Sequence, residues 1–294
     1  MRIGAKVPNS GPLPGERGIG QMASELEAAG FESLWVSDHV VMPKTIASQY
    51  PFAADGRPTW PLETPYYDAM VALAVTAGAT RHAVLGTAVL VLPLRQPVIF
   101  AKQAATVDVL SGGRLALGVG AGWLAEEFDA LNVPFRTRGQ RFTEWIEIVR
   151  ACWSGTPDPF RGEHYELPAG VLCLPTPQHA IPLLVGGHSP TALVRAGSLC
   201  DGWVAHQSAS AIDIDALAWG IAEMHRAGQR CSKAPAQLWT TLRLIDSATR
   251  IAEVAAMLPR LRDIGIDEVV VDSDWSVRDA AKEEYNVLRR SADG

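Results

Sequence analysis

Four short stretches of the chain carry residue types and spacings that could do chemistry. The first is Ser37-Asp38-His39, at the end of an apolar run that begins at Ser33. Neighbouring acid and imidazole side chains at a strand end point in different directions, so they need not form a relay with each other. Either can face a cleft, where a His donates a hydrogen bond or shuttles a proton near neutral pH. The same pair also serves as a turn-capping Asp beside a His satisfied by backbone. The second stretch is GVGAGW, Gly118 to Trp123. Gly120, Ala121 and Gly122 let a planar ring or a phosphate approach the backbone, and Trp123 offers a flat apolar wall. The spacing is not that of the dinucleotide fingerprint. The third, GGHSP, sets Gly186 and Gly187 ahead of a Ser cap, exposing backbone N–H groups at a helix start: an anion site or an ordinary capped turn. The fourth runs from Gly86 to Pro97 and stays apolar to Leu92, so Ala88 and Val89 lie on a hydrophobic bed.

Other residues read as structural. Glu126 and Glu127 look like the solvated start of a helix, and Arg136, Arg138 and Arg141 like a solvated helix face rather than an anion site. His164, His179, His188 and His206 lack metal-ligand spacing, so no metal is assigned. There is no GxSxG elbow and no Walker loop. Cys152, Cys173, Cys200 and Cys231 form no CxxC pair, which suits reduced thiols in a cytoplasmic protein. A formal charge of -6 argues against nucleic acid as a main partner and leaves room for a small-molecule substrate. No apolar run approaches the roughly 20 residues of a membrane helix, and MRIGAKVPNSG lacks the features of a signal peptide.

These stretches need elements to position them. Eight apolar, β-branched runs start at Arg2, Ser33, Ala83, Arg114, Pro182, Gly202, Gln237 and Glu268, with amphipathic stretches between them. Continuous rather than alternating apolar runs suit parallel strands covered on both faces. Eight strand–helix alternations in 294 residues predict one α/β domain over 1–294, a (β/α)8 TIM barrel with insertions after strand 2 and between strands 4 and 5. Helices are predicted from Ile19 to Ala29, stopped by Gly30, and from Pro97, with Phe100, Val107 and Leu110 inward. A third is predicted from Thr137 to Trp153, with Phe142, Trp145, Ile146 and Val149 on one side. The two insertions, Pro43 to Tyr67 and Thr156 to Ile181, are rich in proline, and the first in aromatics. Both are expected to act as lids over an apolar pocket at the carboxyl mouth.

Taken in order, GFESLWVSDHV, LGTAVLVLPLRQPVIFAKQAATVDVLSGGRLALGVGAGW, RGQRFTEWIEIVR, PLLVGGHSPTALVRAG and CDGWV resemble the luciferase-like monooxygenase superfamily. The nearest resemblance is to its branch of oxidoreductases that use coenzyme F-420, a deazaflavin. From about Ala211 the likeness becomes generic. The resemblance implies a cofactor across the carboxyl mouth. Asp38 and His39 match a strand-end pair at the deazaflavin ring, and Ala88-Val89 matches the site of a non-proline cis peptide. Gly120, Ala121 and Gly122 match the loop beside the cofactor's side chain, and Gly186 and Gly187 the loop after the fifth strand. Trp123 stands where sugar-phosphate dehydrogenases of this kind carry a glutamate, which argues against glucose-6-phosphate as substrate. The expectation is hydride transfer with an unidentified organic substrate, His39 moving a proton and Asp38 holding polar groups of the ring. An FMN-dependent monooxygenase is the first alternative, disfavoured because only backbone is offered near the strand-4 loop. A non-catalytic flavin-binding protein is the second. The resemblance also implies a homodimer.

Overall fold

The computed structural model describes residues 1–53, 55–58 and 60–293. Eight strands form a closed, all-parallel barrel: β1 (Arg2–Lys6), β2 (Ser33–Val36), β3 (Val84–Val91), β4 (Leu115–Gly120), β7 (Leu183–Gly186), β8 (Gly202–Ser208), β9 (Trp239–Ile245) and β10 (Glu268–Val271). They pair in chain order, and β10 closes on β1 with Ile3 opposite Val269 and Gly4 opposite Val270. The intervening β5 (Phe160–Arg161) and β6 (Glu166–Leu167) form a small antiparallel hairpin outside the barrel. Each strand run read from the sequence is therefore a barrel strand.

Packing follows from which side of each strand is apolar. Inward, Trp35, Leu184, Val204 and Val270 plug the barrel, with Ala88 and Val89 packed against them. Beneath this plug, buried Glu268 accepts hydrogen bonds from Ser33 and from Thr241 (2.9 Å), and Ser33 in turn accepts from the Trp35 indole at 2.8 Å. Burial pushes the Glu268 carboxyl up, against the pull of those donors. Outward, a larger apolar cluster joins strands to the helices. Burying it supplies most of the driving force for closure.

The helices start and stop where their punctuation lies. After the short α1 (Leu13–Arg17), α2 (Ile19–Ala29) ends at Gly30, which takes φ +115° as the left-handed cap, with its N–H returned to Leu26 and Glu27. Asp68 caps α3 (Ala69–Ala79) at the Val71 N–H, 3.0 Å. Gln96 caps α4 (Pro97–Ser111), whose first residue is Pro97. One expected inward residue of α4 is not inward: Leu110 is 72% exposed. The buried stripe runs Phe100, Ala104, Val107, Ser111, and Leu110 sits one residue, about 100°, off it. α6 (Arg138–Trp153) buries Phe142, Trp145, Ile146 and Val149 as its pattern predicts.

The two insertions have different fates. Residues 43–53, 55–58 and 60–67 fold over the carboxyl mouth, where Tyr50 meets Trp60 (ring centroids 5.0 Å) and Trp123 (5.2 Å). Residues 156–181 do not roof it. They run along the outside of α4 and α6, held by Gln178 N–H to the Asp108 carboxylate (2.8 Å), Cys173 N–H to Gly155 O (2.9 Å) and Lys102 to Leu174 O. The second lid expectation is thus corrected. Its apolar residues follow the groove between two helices because that surface, not the mouth, is next to the end of α6. Among the described residues, no helix is long and apolar enough to cross a membrane.

Candidate active site

A cavity of about 700 Å³ opens at the carboxyl mouth. Asp38, His39, Ala88, Val89, Gly120, Ala121, Gly122, Trp123, Gly186 and Gly187 all line it, so the topology brings the four sequence stretches to one place. Its floor is Ala88-Val89. The peptide between them is cis, at a register shift between Thr87 and Leu90 where β3 meets β4. The glycines explain how Val89 lies there. A Cβ on Gly120 would meet the Val89 side chain at 2.8 Å, and one on Gly186 would meet it at 2.7 Å. The two glycines of adjacent strands make room first for Val89, which then offers its surface upward. Gly187, at φ +111°, is the one that opens toward the start of α7 (Pro190–Ser198), where Ser189 caps the helix.

His39 and Asp38 do face different partners. The His39 Nδ1 lies 3.0 Å from Glu127 Oε2, and both side chains are nearly fully buried. Glu127 Oε1 accepts the N–H groups of Val40 (2.6 Å) and Val41 (3.2 Å). The reading of Glu127 as a solvated residue is therefore wrong: it is 1% exposed. It opens α5 (Ala125–Ala130), and the first turn points it under the strand-2 end. A carboxylate holding three N–H groups fixes His39 with its proton on Nδ1, leaving Nε2 as the nitrogen for the cavity. Tyr66 packs edge-on to the imidazole at 5.0 Å, and Trp123 at 6.1 Å.

Asp38 makes a bidentate ion pair with Arg95, 2.7 Å at each oxygen, and also accepts the Val91 N–H at 2.9 Å. Its side chain is fully buried. Burial alone would lower the Arg95 pKa, but the Asp38 charge and hydrogen bonds outweigh it and raise the value. Asn9, also fully buried, ties the same region together: its amide donates to Ser37 O (2.7 Å) and Tyr67 O (3.0 Å), and its oxygen accepts the Ser37 N–H. Arg95 and Asn9 were not singled out by sequence reading, because their contacts span 57 and 28 residues of chain.

Glu126 is likewise structural in a way its solvated reading misses. It accepts from Ala47 N–H (2.6 Å), Ser48 N–H (3.0 Å) and the Ser48 hydroxyl (2.8 Å), anchoring the roof. Desolvation opposes its ionisation, but these donors win and hold the carboxyl below its ordinary range.

The two ends of the cavity differ in charge. One end is lined by Arg136, Arg138 and Arg195, beside Ser189 and Thr191 at the start of α7. Arg138 donates to Gly122 O at 3.3 Å and Arg195 to Gly139 O at 2.9 Å. So basic side chains do reach the strand-4 loop, delivered by α6 folding back over it, and the expectation of backbone alone is corrected. The other end holds Lys6, His206, Arg243 and Asp272 from β1, β8, β9 and the end of β10. Arg243 is ion-paired with Asp272. Desolvation would raise the Asp272 pKa, yet Arg243 and Lys6 lower it overall. Burial pushes the Lys6 ammonium down, Asp272 opposing and Arg243 adding. It pushes His206 down to about 3, with Arg243 adding to the effect. Above, burial raises Tyr50 to about 12.

Known proteins frame this geometry. The chain is 34% identical over 251 residues to an uncharacterised protein of Mycobacterium tuberculosis, covering 85% of this chain and 83% of the relative. It is 28% identical over 208 residues to an F-420-dependent glucose-6-phosphate dehydrogenase of Amycolatopsis mediterranei, covering 69% and 57%. Its fold superimposes on an F-420-dependent secondary alcohol dehydrogenase, solved with an F-420-acetone adduct, at a TM-score of 0.78. That match has 18% identity and covers 98% of this chain and 99% of the other. The sequence profile of the luciferase-like monooxygenases matches residues 3–280, nearly the whole barrel with its mouth, and the chain belongs to that family.

Proposed function

We propose that the protein is an oxidoreductase that uses coenzyme F-420 to move a hydride to or from a small organic substrate. The observation that carries this is the shape of one continuous cavity: a flat apolar floor at Ala88-Val89 with an imidazole at its edge, running to a basic, N–H-rich end at α7. That arrangement suits an elongated ligand with a planar ring and an anionic tail. The F-420-dependent relative adds weight to the deazaflavin.

When bound, the deazaflavin would supply a carbon centre that accepts or donates hydride. Val89, Gly120, Gly122 and Trp123 would hold the ring, and Gly187, Ser189 and Arg138 the tail. The rest is the work of this chain. His39 Nε2 donates or accepts the substrate proton, while Glu127 sets the tautomer and steadies the imidazolium. Asp38, with both oxygens engaged, acts as a positioning residue: it locks the strand-2 end to the Val91 backbone that follows the cavity floor. Tyr50, Trp60 and Tyr66 exclude water from above.

An FMN-dependent monooxygenase is the second reading, favoured by the arginines that reach the strand-4 loop. Titrating purified protein with F-420 and with FMN by fluorescence quenching, then assaying with and without oxygen, separates the two. Tight F-420 binding and oxygen-independent turnover are expected. FMN binding with oxygen consumption would overturn the deazaflavin assignment.

A further inference from the structure

The cofactor reading uses the half of the cavity built by β2, β3, β4 and β7. It leaves unexplained the half built by β8, β9, β10 and β1. Three charged side chains converge there: Lys6 at the end of β1, Arg243 in β9 and Asp272 just after β10. Arg243 is 4% exposed, with hydrogen bonds to Leu244 O, to Val270 O (3.4 Å) and to Asp272. Next to it in the sheet, His206 pairs with Arg243 in register. The His206 Nε2 is buried and finds no hydrogen-bond partner among the described residues. An unsatisfied buried polar atom is costly and wants a ligand or water to complete it. Phe52 of the roof stacks on this ring at 4.3 Å, so the corner is closed from above by an apolar group.

We propose that the Lys6–Arg243–Asp272 corner, with His206 Nε2, is the subsite for a carboxylate carried by the substrate. The proposal rests on the oxidoreductase reading and names the substrate class for it. Lys6 and Arg243 bring two positive charges and Asp272 one negative, so the corner carries a net single positive charge in a dry setting. A monoanion neutralises it, whereas a dianion overshoots. The lysine ammonium and the Arg243 N–H groups not spent on Leu244, Val270 and Asp272 can donate to the two oxygens of a carboxylate. Burial disfavours the Lys6 charge more than Asp272 supports it, and a bound carboxylate adds a second counter-charge. The setting also gives polarity to the reaction: the anion anchors one end of the substrate, while His39 Nε2 exchanges its proton at the other. A roof of Tyr50, Phe52 and Trp60 suits an apolar or aromatic body between the two.

The test uses calorimetric titration of the F-420-saturated protein with benzoate, benzamide and phenyl phosphate, three probes of similar bulk and different charge. Benzoate is expected to bind about tenfold or more tightly than benzamide, and more tightly than phenyl phosphate. Lys6→Met should lower benzoate affinity by about tenfold or more while leaving benzamide and F-420 binding as they are. Asp272→Asn should strengthen benzoate binding by removing the competing anion. Equal binding of benzoate and benzamide, no benzoate binding, or a Lys6→Met protein that binds benzoate like the parent would each overturn the proposal. Tighter binding of phenyl phosphate would overturn the carboxylate in favour of a phosphate. Repeating the titrations on cofactor-free protein separates the two claims: should F-420 itself fail to bind, the deazaflavin reading falls, and the benzoate arm still decides the subsite.

Discussion

Replacing Glu127 with glutamine keeps the side chain's shape and removes its charge, so it isolates what the carboxylate does for His39. The parent carboxylate accepts three contacts, at 2.6 and 3.2 Å from the Val40 and Val41 N–H groups and 3.0 Å from His39 Nδ1. Glutamine can present only one oxygen. If that oxygen stays with the backbone pair, its amide N–H₂ faces Nδ1, which must then accept. The His39 proton moves to Nε2. Exchanging charged for neutral hydrogen bonds costs about 1 kcal/mol each, or roughly 2–3 kcal/mol in sum. At about 2–4 °C per kcal/mol, the melting temperature should drop by about 4–12 °C. Glu127→Ala, which abandons all three donors, should cost about 3–5 kcal/mol. Long-range ¹H–¹⁵N NMR of the imidazole nitrogens reads the tautomer without any substrate. The parent should show neutral His39 protonated on Nδ1, and Glu127→Gln should show it on Nε2. A ring protonated on Nε2 can donate there but not accept, so turnover that requires proton uptake should fall about 10²-fold. Identical tautomers in the two proteins would refute the dyad, whatever happened to stability.

Three further outcomes follow from the same structure. Arg95→Ala leaves the Asp38 carboxylate buried with only the Val91 N–H; stability should drop by about 3–5 kcal/mol in urea unfolding, and F-420 affinity should drop with it. Gly186→Ala drives a methyl into Val89 at 2.7 Å and should cost about 1–3 kcal/mol and weaken cofactor binding in the fluorescence titration. Gly15→Ala, whose new methyl would meet only Tyr67 Oη at 3.5 Å, is the matched control and should bind cofactor normally. His206 stays neutral in the fold to about pH 3, whereas the unfolded chain takes up that proton near pH 6.5. Stability is therefore present above about pH 6.5 and is lost as the pH falls below it, by up to about 2 kcal/mol at pH 5. His206→Gln should flatten that part of the profile in urea unfolding at pH 7 and pH 5.

What could be read from the chain follows the range over which each signal acts. The strands are written locally, as apolar runs bounded by glycine and polar turns, and all eight appear where those runs lie. Helix caps such as Gly30, Gln96 and Ser189 are equally local. The lining of the mouth cavity was legible at the positions where a strand end must carry something unusual: Asp38-His39, Ala88-Val89 and the glycines. Its partners were not. Glu127 reaches His39 across 88 residues and Arg95 reaches Asp38 across 57, and nothing near Glu127 in sequence distinguishes it from an ordinary acidic first turn. Lys6 and Arg243 sit inside apolar strands, where a charge is itself a signal; their meeting with Asp272 appears only once the barrel closes. The proline-rich segment after α6 misled because composition does not say which surface a loop will cross.

Two consecutive carboxylates at the head of α5 hold different things: Glu126 grips the roof at Ala47 and Ser48, and Glu127 grips the imidazole. Two adjacent residues of one helix turn thus tie the roof and the imidazole to the same backbone, so a substitution that shifts the start of α5 should disturb both.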